Sequence, residues 1–116
     1  MLFDAQVTTR DGWVIVAFVG ELDLATAPAA RTAIVRGLGA DAANLVLDLS
    51  GLDFLDSLGL GVVVSALKRV RARGGELVVV ATEARIRAPF EVTGLDRLVT
   101  VHPSVDAALA VGAADG

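Results

Sequence analysis

Phe3–Thr9, with apolar residues at Phe3, Ala5 and Val7, and the apolar run Trp13–Val19 read as two short strands, and the Arg10-Asp11-Gly12 break between them predicts an antiparallel hairpin, since Asp-Gly between apolar segments favours a tight turn. Gly20–Ala25 reads as a loop. Thr26 is placed to cap a helix over Thr26–Leu38, with Pro28 early, where its missing N–H is not needed, and Gly37 and Gly39 at the end. Leu45, Val46, Leu47 and Leu49 form a short bounded run that predicts an interior strand over Leu45–Leu49. A helix follows from Ser57 to about Arg73, stopped by Gly74-Gly75, and then a strand over Glu76–Ala81. Thr82 or Glu83 opens a third helix to about Val92, kinked or shortened by Pro89 and ended by Gly94, with Leu95 supplying the hydrophobic contact of a Schellman cap. Leu98–Val101 predicts the last strand and Pro103–Val111 the last helix, with Gly112 as its stop and Ala113–Gly116 as a frayed tail.

Strands alternating with helices after an opening hairpin predict an α/β fold: a mixed, mainly parallel sheet of about five strands layered against about four helices. At 116 residues and 54% hydrophobic, the chain has material for one core, assigned to residues 2–112, and no room for a second. The absence of cysteine removes disulfides and thiolate chemistry and suits a cytoplasmic protein, while a single histidine argues against a metal site. Met1–Gly12 has no basic start followed by an apolar run, so the chain is expected to begin near Met1 without a secretory signal. Trp13–Gly20 and Leu58–Leu67 fall short of the roughly 20 residues of a membrane-spanning helix, which predicts a soluble protein without a membrane partner. A net charge of -4 argues against nucleic acid as a partner.

The densest chemistry lies in Asn44–Gly61, where a buried strand runs through an acidic turn into a serine that opens a helix. Ser57 falls at the positive end of that helix dipole, where free N–H groups tolerate a phosphate. A hydroxyl there is equally a helix cap, and Asp56 can fill the same role. A phosphate on Ser57 adds about -1.5 to -2 charge beside Asp56 and Asp53, weakening any partner that accepted the plain hydroxyl. Leu60, Val63, Val64, Leu67 and Val70 form the apolar stripe, with Gly61, Ser65 and Lys68 nearer the other face. Gly59 and Gly61 each cost about 1 kcal/mol against alanine, which points to a close backbone approach, by the sheet or by a partner. Lys68, Arg69, Arg71 and Arg73 complement the negative end of the dipole or face an acidic partner. No phosphate-binding glycine loop and no nucleophile elbow is present, and His102 beside Pro103 suits a local structural role. No catalytic residue, metal ligand or cofactor is therefore assigned.

Five segments carry a resemblance over nearly the whole chain: G-E-L-D at Gly20–Asp23, V-L-D-L-S-G-L at Val46–Leu52, F-L-D-S-L-G-L-G at Phe54–Gly61, R-A-R-G-G-E-L-V-V-V at Arg71–Val80 and F-E-V-T-G-L at Phe90–Leu95. They resemble the STAS-domain anti-sigma factor antagonists, which release a sigma factor by binding its kinase inhibitor. The resemblance implies a single STAS-like domain. It also implies that Ser57 is the phosphorylated serine and that Asp23 is an acidic loop residue close to it. Leu58 stands where the family often has a second serine, so Ser57 is the motif's one candidate. Asp23, Asp56, Ser57, Leu58, Gly59, Gly61 and Lys68 are the implied partner-binding residues. The implied partners are an anti-sigma factor serine kinase, which brings its own ATP and magnesium, and a phosphoserine phosphatase that resets the switch. A monomer suits a domain exposing one docking face. The competing expectation is a constitutive scaffold or transporter-associated module in which Ser57 is never modified.

Overall fold

Five strands lie side by side in chain order in the computed structural model, which describes residues 2–115, with side chains over 2–110. β1 (Phe3–Arg10) and β2 (Trp13–Leu22) form the antiparallel hairpin, turning at Asp11 and Gly12, both with positive φ. β3 (Leu45–Leu55), β4 (Leu77–Val80) and β5 (Thr100–His102) then add in parallel. The intervening helices are α1 (Ala27–Leu38), α2 (Ser57–Ala72) and α3 (Ala84–Thr93), and α4 (Val105–Asp115) ends the fold. The α/β class and the mixed, mainly parallel sheet with four helices are as the alternation of periods predicted.

The period of two along the strands divides the core between the sheet's faces. Val14, Val16 and Phe18 of β2 join Leu45, Leu47 and Leu49 of β3 under α1, α2 and α3. Trp13, Ile15, Val46, Val78 and Val80 face the other way, against Ala108 and Leu109 of α4. Because both faces are covered, β4 is buried at all four positions and reads as an unbroken apolar run.

The main departure from expectation is the length of the central pair. β2 continues to Leu22, past Val19, and β3 to Leu55, past Leu49, so the predicted Gly20–Ala25 loop shrinks to 23–26. Between Ala17 and Val19, and again between Gly20 and Glu21, the pairing slips so that β3 carries one more residue than β2. Each slip restores the inward face, so Leu49, Leu52 and Leu55, spaced by three, all point into one core. β4 pairs with β3 only as far as Asp48, leaving the outer half of β3 as an arm supported by β2.

The smaller corrections have local causes. Leu95–Arg97 is a 3-10 turn following the left-handed Gly94, which shifts β5 from Leu98–Val101 to Thr100–His102. Ser104 Oγ accepts from Ala107 N at 3.1 Å, so α4 starts at Val105 rather than Pro103. The α4 backbone passes Gly112 and reaches Asp115, since glycine inside a helix costs only about 1 kcal/mol. The expected frayed tail ends on Gly116, which lies outside the described residues. Glu76 and Ala81 flank β4 without belonging to it.

Leu52, 1% exposed, tests the extended strand. Leu52→Ala should lower unfolding stability by about 2–5 kcal/mol in denaturant titrations, a core penalty that a loop residue would not show.

Candidate functional site

The carboxyl ends of β2 and β3 form one pole of the molecule, and parallel strands characteristically present ligands and partners from that end. Glu21 pairs with Phe54 and Leu22 with Leu55, and Asp56 N donates to Leu22 O at 3.3 Å. The segments leaving both strands, one carrying Asp23 and the other Ser57, therefore start side by side.

Asp23 anchors its own turn. Its Oδ1 accepts from Ala25 N at 2.9 Å and Thr26 N at 3.2 Å, with Thr26 Oγ1 at 3.3 Å, while Oδ2 has no partner among the described residues. Thr26 holds the expected N-cap position of α1, with its carbonyl accepting from Ala30 N at 3.0 Å, but its side chain caps no helix N–H: the hydroxyl donates to Glu21 O at 2.7 Å and accepts from Asp23 N at 3.0 Å. The buried Thr26 thus ties the loop back to β2 and leaves one carboxylate oxygen of Asp23 available.

The two cap candidates on α2 are separated by geometry. Asp56 is the N-cap, its Oδ1 accepting from Gly59 N at 2.8 Å. Ser57 is the first helical residue, exposed, with its hydroxyl bonded to no described residue. Capping needs Asp56 and leaves Ser57 chemically uncommitted. Leu24 at 71% exposure, Phe54 at 46% and Leu58 at 47% give the same pole exposed apolar surface. Sequence reading missed Leu24 and Phe54, and Phe54 could be found only by recognising that β3 continues.

The remaining implied partner residues separate. Gly59 is buried: a β-carbon there would stand 2.5 Å from Leu22 O and 2.8 Å from Leu55 Cδ1, so the close approach is internal. At Gly61 a β-carbon would meet nothing within 4 Å. Gly61 lines a groove with a cavity volume of 360 Å³, between Ser57, Leu60 and Val64 of α2 and Gly94, Leu95 and Leu98. Lys68 is exposed, but eleven residues beyond Ser57, about 16 Å along the helix, and borders a different groove with α1.

The STAS domain family model matches residues 4–108. The chain belongs to the STAS domain family. Among its relatives, the anti-sigma-B factor antagonist of Listeria monocytogenes is 35% identical over 87% of this chain and 90% of its own. That of Staphylococcus aureus is 29% identical over 91% of this chain and 98% of its own. The crystal structure of an anti-sigma factor antagonist from Mycobacterium paratuberculosis superposes with a TM-score of 0.87 at 34% identity, covering 95% of this chain and 93% of that one. These relatives set this STAS domain beside the anti-sigma factor antagonists.

Two contrasts check the site's construction. Asp56→Ala should cost about 1 kcal/mol of stability, while Ser57→Ala stays within about 0.5 kcal/mol, both read from thermal or urea unfolding. Gly59→Ala should destabilise by about 1–3 kcal/mol through the clash with Leu22, whereas Gly61→Ala should stabilise by up to about 1 kcal/mol.

Proposed function

We infer that this STAS domain is an anti-sigma factor antagonist that docks its Ser57 pole onto an anti-sigma factor serine kinase and so frees the sigma factor. The observation that carries this reading is the uncommitted Ser57 hydroxyl, exposed beside a carboxylate that already performs the capping. The names of its relatives supply the partner class. In this reading the exposed Leu24, Phe54 and Leu58 contribute apolar contact, and the free Oδ2 of Asp23 meets a cationic group of the kinase.

The switch is phosphoryl transfer. Ser57 Oγ attacks the γ-phosphorus of ATP held by the kinase, the bond to the β-phosphate oxygen breaks, ADP leaves and the hydroxyl proton passes to a base of the kinase. The chain supplies the nucleophile and its placement; nucleotide and magnesium belong to the partner, so this protein acts as a regulator and substrate rather than an enzyme. The new dianion sits at the first turn of α2, where unpaired N–H groups favour it and the Asp56 carboxylate opposes it. A partner surface that buried the neutral hydroxyl would then bury unmatched charge. Reversing occupancy from 99:1 to 1:99 takes about 5.5 kcal/mol, within reach of charge burial combined with steric exclusion. A phosphoserine phosphatase resets the hydroxyl.

Capture from native lysate by wild type, Ser57→Ala and Ser57→Asp, with retained proteins identified by mass spectrometry, tests the switch. Wild type and Ser57→Ala should retain a small ATP-binding kinase that Ser57→Asp loses. Asp23→Asn keeps an oxygen for the turn while removing the charge, and should weaken capture of that kinase by about tenfold with little change in stability. Equal retention by all the Ser57 forms would instead favour a constitutive scaffold.

A further inference from the structure

Charge is segregated on this molecule. Its fourteen Asp and Glu residues all lie outside α1 and α2, yet these two adjacent helices carry five of the ten Lys and Arg residues, Arg31 and Arg36 on one and Lys68, Arg69 and Arg71 on the other. Arg73 follows directly after α2. In a chain of net charge -4, this produces a cationic face against the overall sign.

Part of this charge has structural employment. Arg73 donates to Ala42 O at 2.6 Å and Gly39 O at 2.8 Å, pinning the loop after α1, and Arg71 donates to Leu98 O at 3.1 Å. The dipole at the C-terminal end of α2 accommodates Arg69 and Arg71. It does not account for Arg31, in the first half of α1, or for Lys68, a turn further from the end. Arg31, Lys68 and Arg69 make no hydrogen bond or ion pair with any described residue. They rim a groove between α1 and α2 with a cavity volume of 450 Å³. Its floor is Ile34, Val62 and Ala66, and Val35, 43% exposed, stands on one wall.

We propose that this groove receives an acidic amphipathic helix of a partner protein. An apolar floor flanked by cations on both walls matches a helix with an apolar stripe between rows of carboxylates. Along α2 the groove runs from Val62 to Ala72, almost three helical turns, long enough to meet carboxylates on successive turns of a bound helix. Paired charges across such a rim set orientation and encounter rate, and the apolar floor limits dissociation. Lys68 belongs to this surface. The surface is separate from the Ser57 pole, so one domain can hold two partners at once.

The test titrates isotope-labelled protein by NMR with a synthetic helix carrying leucine at helical spacing and glutamate elsewhere. A lysine-for-glutamate version and phosphatidylglycerol vesicles serve as comparison probes. Saturable shifts confined to the amides around Arg31, Val35, Ser65, Arg69 and Ala72 are expected from the glutamate helix alone. Arg31→Glu combined with Arg69→Glu should weaken this binding at least about tenfold, as should raising salt from about 0.05 to 0.5 M, while Ser57→Ala leaves it unchanged. The variant's own spectrum reports whether its fold is intact. No saturation at millimolar peptide, equal binding of the lysine helix, or the same residues responding to vesicles in preference to peptide would each overturn the proposal.

Discussion

At Gly59 the backbone of α2 rests against the carbonyl of Leu22 and the side chain of Leu55, closer than any residue with a β-carbon could come. This contact depends on Leu22 and Leu55 being strand residues, paired with each other at the end of the β2–β3 arm. It also depends on Asp56, whose carboxylate holds Gly59 N and fixes where the helix begins. The apolar ladder Leu49, Leu52 and Leu55 secures the arm from below. Helix start, strand ends and acidic loop form one packed unit, and Ser57 is presented on a rigid element rather than a mobile loop.

Elements specified by neighbouring residues were readable in advance. The Asp-Gly hairpin, the glycine stop at Gly94 and most of the apolar stripe of α2 are set by local dihedrals and periodicity, although Val62 and Ala66, both buried, lie outside the expected stripe and Val64 within it is only half-buried. The outer half of β3 was not, because leucines spaced by three match neither the strand period of two nor the helical 3.6, and only slipped pairing with β2 turns that spacing into one face. Thr26 shows a second kind of limit. Local rules make it a cap, yet the carbonyl of Glu21, five residues back, captures its hydroxyl once β2 extends beyond Val19.

Within the site, identity was more legible than division of labour. The acidic turn and the serine are visible in the sequence, but Asp56 and Ser57 are interchangeable as cap residues until the position of Gly59 N assigns the role to the aspartate. The two glycines of the same helix look alike on paper and differ completely in space: one faces the sheet, the other faces open volume. Lys68 reads correctly as exposed, but helical periodicity does not say which neighbouring element it faces, and that neighbour is α1.

The paired slips in β3 bear on how the sequence can drift. A register that corrects itself by counting residues tolerates exchange of side chains but not a change in their number. Losing one residue between Leu49 and Asp56 would turn everything downstream to the opposite face, taking Leu55 out of the core and rotating the start of α2. Side chains can change at exposed strand positions such as Ser50 without disturbing this count, whereas a change in length is best absorbed at the opposite end of the sheet, where the turn at Asp11-Gly12 and the loop at 39–44 stand clear of the arm.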